Sequence, residues 1–134
     1  MTKAIRIHEH GGPEVLKYED VDLGDVGPGE VRLRHNAIGL NFIDVYQRTG
    51  LYPLGDLPKT LGMEAAGVIE EVGDGVEDFA VGDRVAYAMG LGSYAEERVW
   101  GTDRLVKLPD GIDDQTAAAM MLQGMTAYYL LNRA

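Results

Sequence analysis

Three side chains with suitable chemistry fall in one short stretch, NFIDVYQRTGLYP: Asn41, Tyr46 and Tyr52. An amide carries N–H donors and a carbonyl, and a phenol carries a ring and one hydroxyl. Such groups can cover a flat conjugated ligand and donate to negative charge building on its oxygen. Each also has a plainer role. Asn41 is a good helix N-cap, and a tyrosine can simply pack half-buried. Gln123 and Thr126 flank Gly124 further along and offer a second polar pair, or a helix cap at a kink. Glu64, directly after Met63, either orders a pocket or is an ordinary surface-strand carboxylate.

Other chemistries are weaker or excluded. The chain has no cysteine, so disulfides, thiolate nucleophiles and thiolate metal sites are out. His8 and His10 stand at i, i+2, too few to hold a metal, and read with His35 as solvated strand-end residues. Gly90-Leu91-Gly92-Ser93-Tyr94-Ala95 fits the dinucleotide pattern G-x-G-x-x-G/A. That motif works only when a helix N-terminus follows the glycines and meets the pyrophosphate. Here Tyr94–Trp100 alternates like a strand, which makes the glycines a loop.

The elements that must position these groups are mostly strands. Ala4–His8 and Val31–Ile38 alternate apolar and polar residues, and Leu61–Gly73 is a long apolar strand ending at the turn Asp74-Gly75. Val15–Tyr18, Val85–Ala88, Tyr94–Trp100 and Leu105–Leu108 are shorter strands between glycine-rich turns. Many short strands of this kind predict a barrel or sandwich. Two helices interrupt them. One spans Asn41–Thr49 and stops at Gly50; the other starts at capping Asp113, runs to Leu131, and has a candidate break at Gly124.

The 134 residues carry 22 acidic and 12 basic side chains, a net charge of −10. This length sets a prior of one domain. The charge argues against nucleic acid or an anionic membrane as main partner, since either needs a basic face. No apolar run has transmembrane length and the N-terminus lacks a signal-peptide core, so a cytoplasmic protein is the expectation. The run Met125–Leu131 is apolar with no evident cover. It suggests a chain cut within a larger fold, and self-association through this helix.

The segments NAIGLNFIDVYQRTG, LGMEAAGVIEEVG, FAVGDRV and AAAMMLQGMTAYYLL together resemble the medium-chain dehydrogenase/reductase superfamily. They are most similar to its zinc-free, zeta-crystallin-like NADPH:quinone oxidoreductase branch, over essentially the whole chain. The resemblance implies a mainly β fold with short helices, a GroES-like β-barrel, without the C-terminal Rossmann domain. Residues 1–123 would be the substrate domain, and 124–134 the start of the helix leading to the nucleotide-binding domain. It implies NADPH held mainly by that other domain, no zinc, and a small-molecule quinone as substrate. It places Asn41, Tyr46 and Tyr52 at the nicotinamide–quinone cleft, and Asn41, Gln123 and Thr126 against the cofactor. In the zinc-dependent relatives a cysteine stands at the position of Asn41 and a histidine at that of Met63. An amide and a thioether are poor zinc ligands. Without a Lewis acid alcohol oxidation is disfavoured, whereas an already electrophilic quinone needs mainly orientation and hydrogen bonds.

Two rivals stand beside this expectation. One is a zinc-free enone or enoyl reductase of the same superfamily. The other is a GroES-like binding module without catalysis. In either enzymatic reading the chain by itself should fold but not turn over NADPH.

Overall fold

The computed structural model describes residues 1–133. Eight strands and two α-helices form two sheets, as the strand-rich pattern predicts. The smaller sheet has the order β2-β1-β4, from β1 (Thr2–Ile7), β2 (Lys17–Val21) and β4 (Lys59–Thr60). The larger has the order β7-β3-β5-β6-β8, from β3 (Glu30–Gly39), β5 (Glu64–Val72), β6 (Arg84–Ala88), β7 (Glu97–Gly101) and β8 (Val106–Lys107). Every strand pair is antiparallel.

Residues 93–96 stitch the two sheets into a partly closed barrel. The amide of Ile5 donates to Tyr94 O at 2.8 Å, Glu96 N to Lys3 O at 2.9 Å, and His35 N to Glu96 O at 2.8 Å. An isolated bridge pairs Ala4 with Ala95. Tyr94 therefore lies in a crossover and not in a strand, contrary to its alternating pattern. The backbone there bonds to two sheets in turn, so the side chains alternate without a continuous ladder. The expected strand at Val15–Tyr18 is also divided. Pro13–Val15 make a 3-10 turn, and pairing with β1 begins only at Lys17.

The strand β5 is apolar from Ala65 to Ile69, where both its faces are covered. Ala65 and Ile69 join Val31, Leu33, Val85, Tyr87 and Leu105 in the barrel interior. Ala66 looks the other way and packs with Ala86, Ala88, Ala117, Ala118 and Met121 beneath α2 (Asp114–Asn132). Alanines on both surfaces let the helix seat close to the sheet, where dispersion contacts are densest. A third cluster, Ile7, Val15 and Leu61, closes the other end.

Both helices begin as their sequences indicate. Asp113 caps α2 by accepting Thr116 N–H at 2.7 Å. The cap holds the Asp113 carboxyl below its ordinary value, the Thr116 backbone N–H being the main cause. α1 (Phe42–Thr49) ends at Gly50, whose φ of 88° is left-handed and suits glycine. The expected break at Gly124 does not occur: α2 is continuous through it. One glycine in a helix costs only about 1 kcal/mol, which packing of the first half of α2 easily offsets. The second half is exposed, with Met125, Tyr128, Tyr129, Leu130 and Leu131 open to solvent.

Candidate functional site

The site forms where β3 ends, α1 begins and β5 starts. Asn41 takes the extended N-cap conformation (φ −134°, ψ 156°), and its backbone N–H donates to Asp44 Oδ2 at 3.0 Å. Its side-chain Nδ2 donates to Glu64 Oε1 at 2.8 Å. Capping position and pocket contact therefore coexist in one residue.

Glu64 is only 1% exposed, which removes the surface-carboxylate alternative. Its other oxygen, Oε2, accepts the backbone N–H of Leu122 at 2.6 Å. One carboxylate thus ties the start of α1 to the middle of α2. Gln123 is the next residue and lines a cavity of about 400 Å³ together with Gly39, Leu40, Glu64 and Gln115.

Thr126 points elsewhere. Its hydroxyl donates to Leu122 O at 2.7 Å, and it lines a shallower groove with Ala88, Met89, Met125 and Tyr129. The structure therefore brings Asn41, Glu64 and Gln123 together and sets Thr126 on the neighbouring face of the same helix.

The two tyrosines meet each other. Their ring centroids lie 5.3 Å apart at 67°, an edge-to-face pair. Tyr52 N–H donates to Tyr46 O at 3.1 Å, which anchors the segment after Gly50 to the last turn of α1. Tyr46 is 37% and Tyr52 49% exposed, so neither is a core tyrosine. Phe42 extends the array, with its ring 6.5 Å from that of Tyr46. In the sequence the signal for Phe42 is its i, i+4 spacing to Tyr46 on α1.

Behind this surface lies a polar layer that the sequence did not disclose. Asp44 and Gln47 occupy one buried face of α1. The Tyr94 hydroxyl donates to Asp44 Oδ2, and burial, with Asp44 second, raises the Tyr94 pKa. Gln47 Nε2 donates to Met63 Sδ at 3.7 Å. The first-turn acid of α1 is thus a structural junction as well as a helix-dipole partner.

His35 is not a solvated residue. Its Nδ1 bonds Ala95 O at 2.7 Å and its Nε2 meets the Tyr87 hydroxyl at 2.9 Å. Arg98 donates to the same hydroxyl at 3.1 Å and stacks 4.3 Å over the Trp100 ring. Burial above all, helped by the Arg98 charge, lowers the His35 pKa to about 4. Arg98 also donates to Gly90 O and Leu91 O, which fastens the Gly90–Gly92 loop. That loop continues into the inter-sheet crossover and β7, so no helix N-terminus follows its glycines.

The donor set bears on which groups the site could hold. Around Asn41 and Met63 stand two carboxylates, Asp44, engaged by the Asn41 backbone and Tyr94, and Glu64, engaged by the Asn41 amide, together with that amide and a thioether already approached by Gln47. This is a poor set for zinc. Among the described residues no group of three His, Cys, Asp or Glu could hold a metal ion. The cavity beside Gln123 presents a side-chain amide in its wall.

The alcohol dehydrogenase GroES-like domain profile matches residues 27–110. The chain is 56% identical to a quinone oxidoreductase of Pseudomonas aeruginosa, over 99% of this chain and 41% of that protein. It is 48% identical to a 2-haloacrylate reductase of a Burkholderia species, over 99% of this chain and 42% of that one. Among solved structures, Escherichia coli quinone oxidoreductase complexed with NADPH matches with a TM-score of 0.94 at 45% identity, covering 98% of this chain and 40% of that one. The chain therefore spans about two-fifths of the length of these relatives.

Proposed function

This chain belongs to the alcohol dehydrogenase GroES-like domain family, and from that premise we propose that it is the substrate lobe of a zinc-independent, NADPH-dependent quinone oxidoreductase. Its residues 1–123 form the substrate domain and 124–134 begin the connection to a nucleotide-binding lobe. The reading includes a cytoplasmic, self-associating protein without nucleic-acid or membrane partners. No helix among the described residues is long and apolar enough to cross a membrane.

The observation that carries this reading is the orientation of the Asn41 amide, at the N-cap of the helix that also carries Tyr46. A carboxylate accepts and cannot donate, so Glu64 demands the nitrogen side of the Asn41 amide. One N–H is spent on Glu64. The second remains for a ligand oxygen. The edge-to-face tyrosines provide an aromatic wall and two hydroxyls for a flat ring.

Bound NADPH would supply a hydride, and the quinone takes up that hydride and one proton to give the hydroquinone. The chain's own residues orient the quinone ring, hold its oxygen in hydrogen bonds and stabilise the charge that develops there. Gln123 would meet the nicotinamide carboxamide, and Thr126 would border it from the adjacent groove. No loop–helix cradle for the phosphates exists among the described residues. The chain alone should therefore not consume NADPH.

Reduction of an activated alkene is the second reading, favoured by the 48% identity to a 2-haloacrylate reductase. The same hydrogen bonds would then polarise a carbonyl conjugated to the alkene. Parallel assays of the full-length protein with 1,4-benzoquinone and 2-chloroacrylate separate the two. Faster NADPH loss with benzoquinone supports the first reading, and loss with 2-chloroacrylate alone replaces it with the second.

A further inference from the structure

Glu64 is a buried carboxylate whose hydrogen bonds among the described residues go to two neutral donors, Asn41 Nδ2 and Leu122 N. Burying a carboxylate away from a cation is costly unless its oxygens are well served. Here the pocket is shaped for it. Gly39 pairs with Glu64 across β3 and β5. A Cβ at Gly39 would overlap the Glu64 carboxyl group. The N–H of Leu122 lies inside α2, where a regular helix would direct it to Ala118 O; here it donates to Glu64 Oε2 at 2.6 Å. A glycine with no room for a methyl and a helix-interior N–H aimed at an acid both converge on one side chain.

We propose that Glu64 is a positioning residue. It sets which side of the Asn41 amide faces the cleft, and through Leu122 it holds the turn of α2 that carries Gln123. It acts through these two neighbours. Its catalytic consequence rests on the cleft reading above, but its geometry can be tested without that reading.

The substitution Glu64→Gln makes a specific prediction. The introduced amide has one acceptor oxygen and one NH2 group. The Leu122 N–H is backbone and cannot turn, so the new oxygen must stay with it. The new NH2 then faces Asn41, which must flip to present Oδ1. Glu64→Asp keeps an acceptor-only group on a shorter arm.

Nuclear magnetic resonance of the chain reads both donors. In the unaltered chain the Leu122 amide proton should lie downfield of its helical neighbours, and one Asn41 side-chain proton should be protected from exchange. Glu64→Gln should leave Leu122 protected but expose the Asn41 NH2. In the full-length reductase Glu64→Gln should slow hydride transfer about 10- to 100-fold with little change in KM, because misorientation acts on the reacting geometry. Glu64→Asp should recover part of that loss. The proposal is overturned if the Asn41 signals are those of a free amide in the unaltered chain. It is equally overturned if Glu64→Gln keeps the hydride-transfer rate within about twofold. If the full-length protein reduces 2-chloroacrylate and not benzoquinone, the quinone reading fails while the resonance measurements still decide the role of Glu64.

Discussion

At the scale of single residues, the chain Arg98–Tyr87–His35–Ala95 has a defined polarity. The arrangement needs a neutral imidazole with its proton on Nδ1, leaving Nε2 to accept from Tyr87. Protonation would set two donors against each other beside Arg98. Burial and Arg98 place the folded His35 pKa near 4, below the 6.5 of an unperturbed histidine. Stability from this group is therefore complete above pH 6.5 and is lost as pH falls towards 4. The loss amounts to about 3 kcal/mol at most. Denaturant titrations from pH 7 to pH 4 should show a shallower decline for His35→Gln than for the unaltered chain; parallel declines would deny the assignment. Tyr52→Phe tests the other side of the molecule. It removes one donor and keeps the ring, so full-length protein should lose about tenfold or more in quinone reduction with an unchanged melting temperature. Unaltered kinetics would make Tyr52 a packing residue.

At the scale of elements, the two helices show what a sequence can and cannot disclose. Their starts were legible because caps are local: Asp113 meets Thr116 three residues on. Removing that cap with Asp113→Ala should cost about 1 kcal/mol, visible as a lower melting temperature. The alternating strands β1 and β3 were legible for the same reason, since their period is written in adjacent residues. Glu64 was not. Its partners Asn41 and Leu122 lie 23 and 58 residues away, and the pairing of β3 with β5 brings the first to it and the packing of α2 on β5 the second. The two-residue strand β4 has too short a pattern to see, and Gly124 looked like a break because its neighbours' packing is not written in its type. Gly39→Ala probes the close approach directly. The added methyl must displace the Glu64 carboxyl group, at a cost of about 1–3 kcal/mol typical of overpacking. An unaffected melting temperature would show that β3 and β5 can shift apart.

At the scale of the whole molecule, the candidate site sits on the rim of the barrel, where β3 ends and β5 begins. The interior cluster around Leu33, Ile69 and Tyr87 fixes β3 and β5, whose ends carry Gly39 and Glu64. α1, which carries Tyr46, starts at that rim with Asn41, and α2 meets it at Glu64 through Leu122. The barrel was foreseeable from the number of short strands, and the family resemblance covers the same residues that build it. In the proposed account the chemistry comes from oriented hydrogen bonds in a cleft without a metal ion. The most direct measurement is NADPH oxidation by 1,4-benzoquinone with the full-length reductase before and after exhaustive treatment with a chelator. The account predicts an undiminished rate after treatment and a strong loss on Asn41→Ala. A rate abolished by the chelator and restored by added zinc would contradict it.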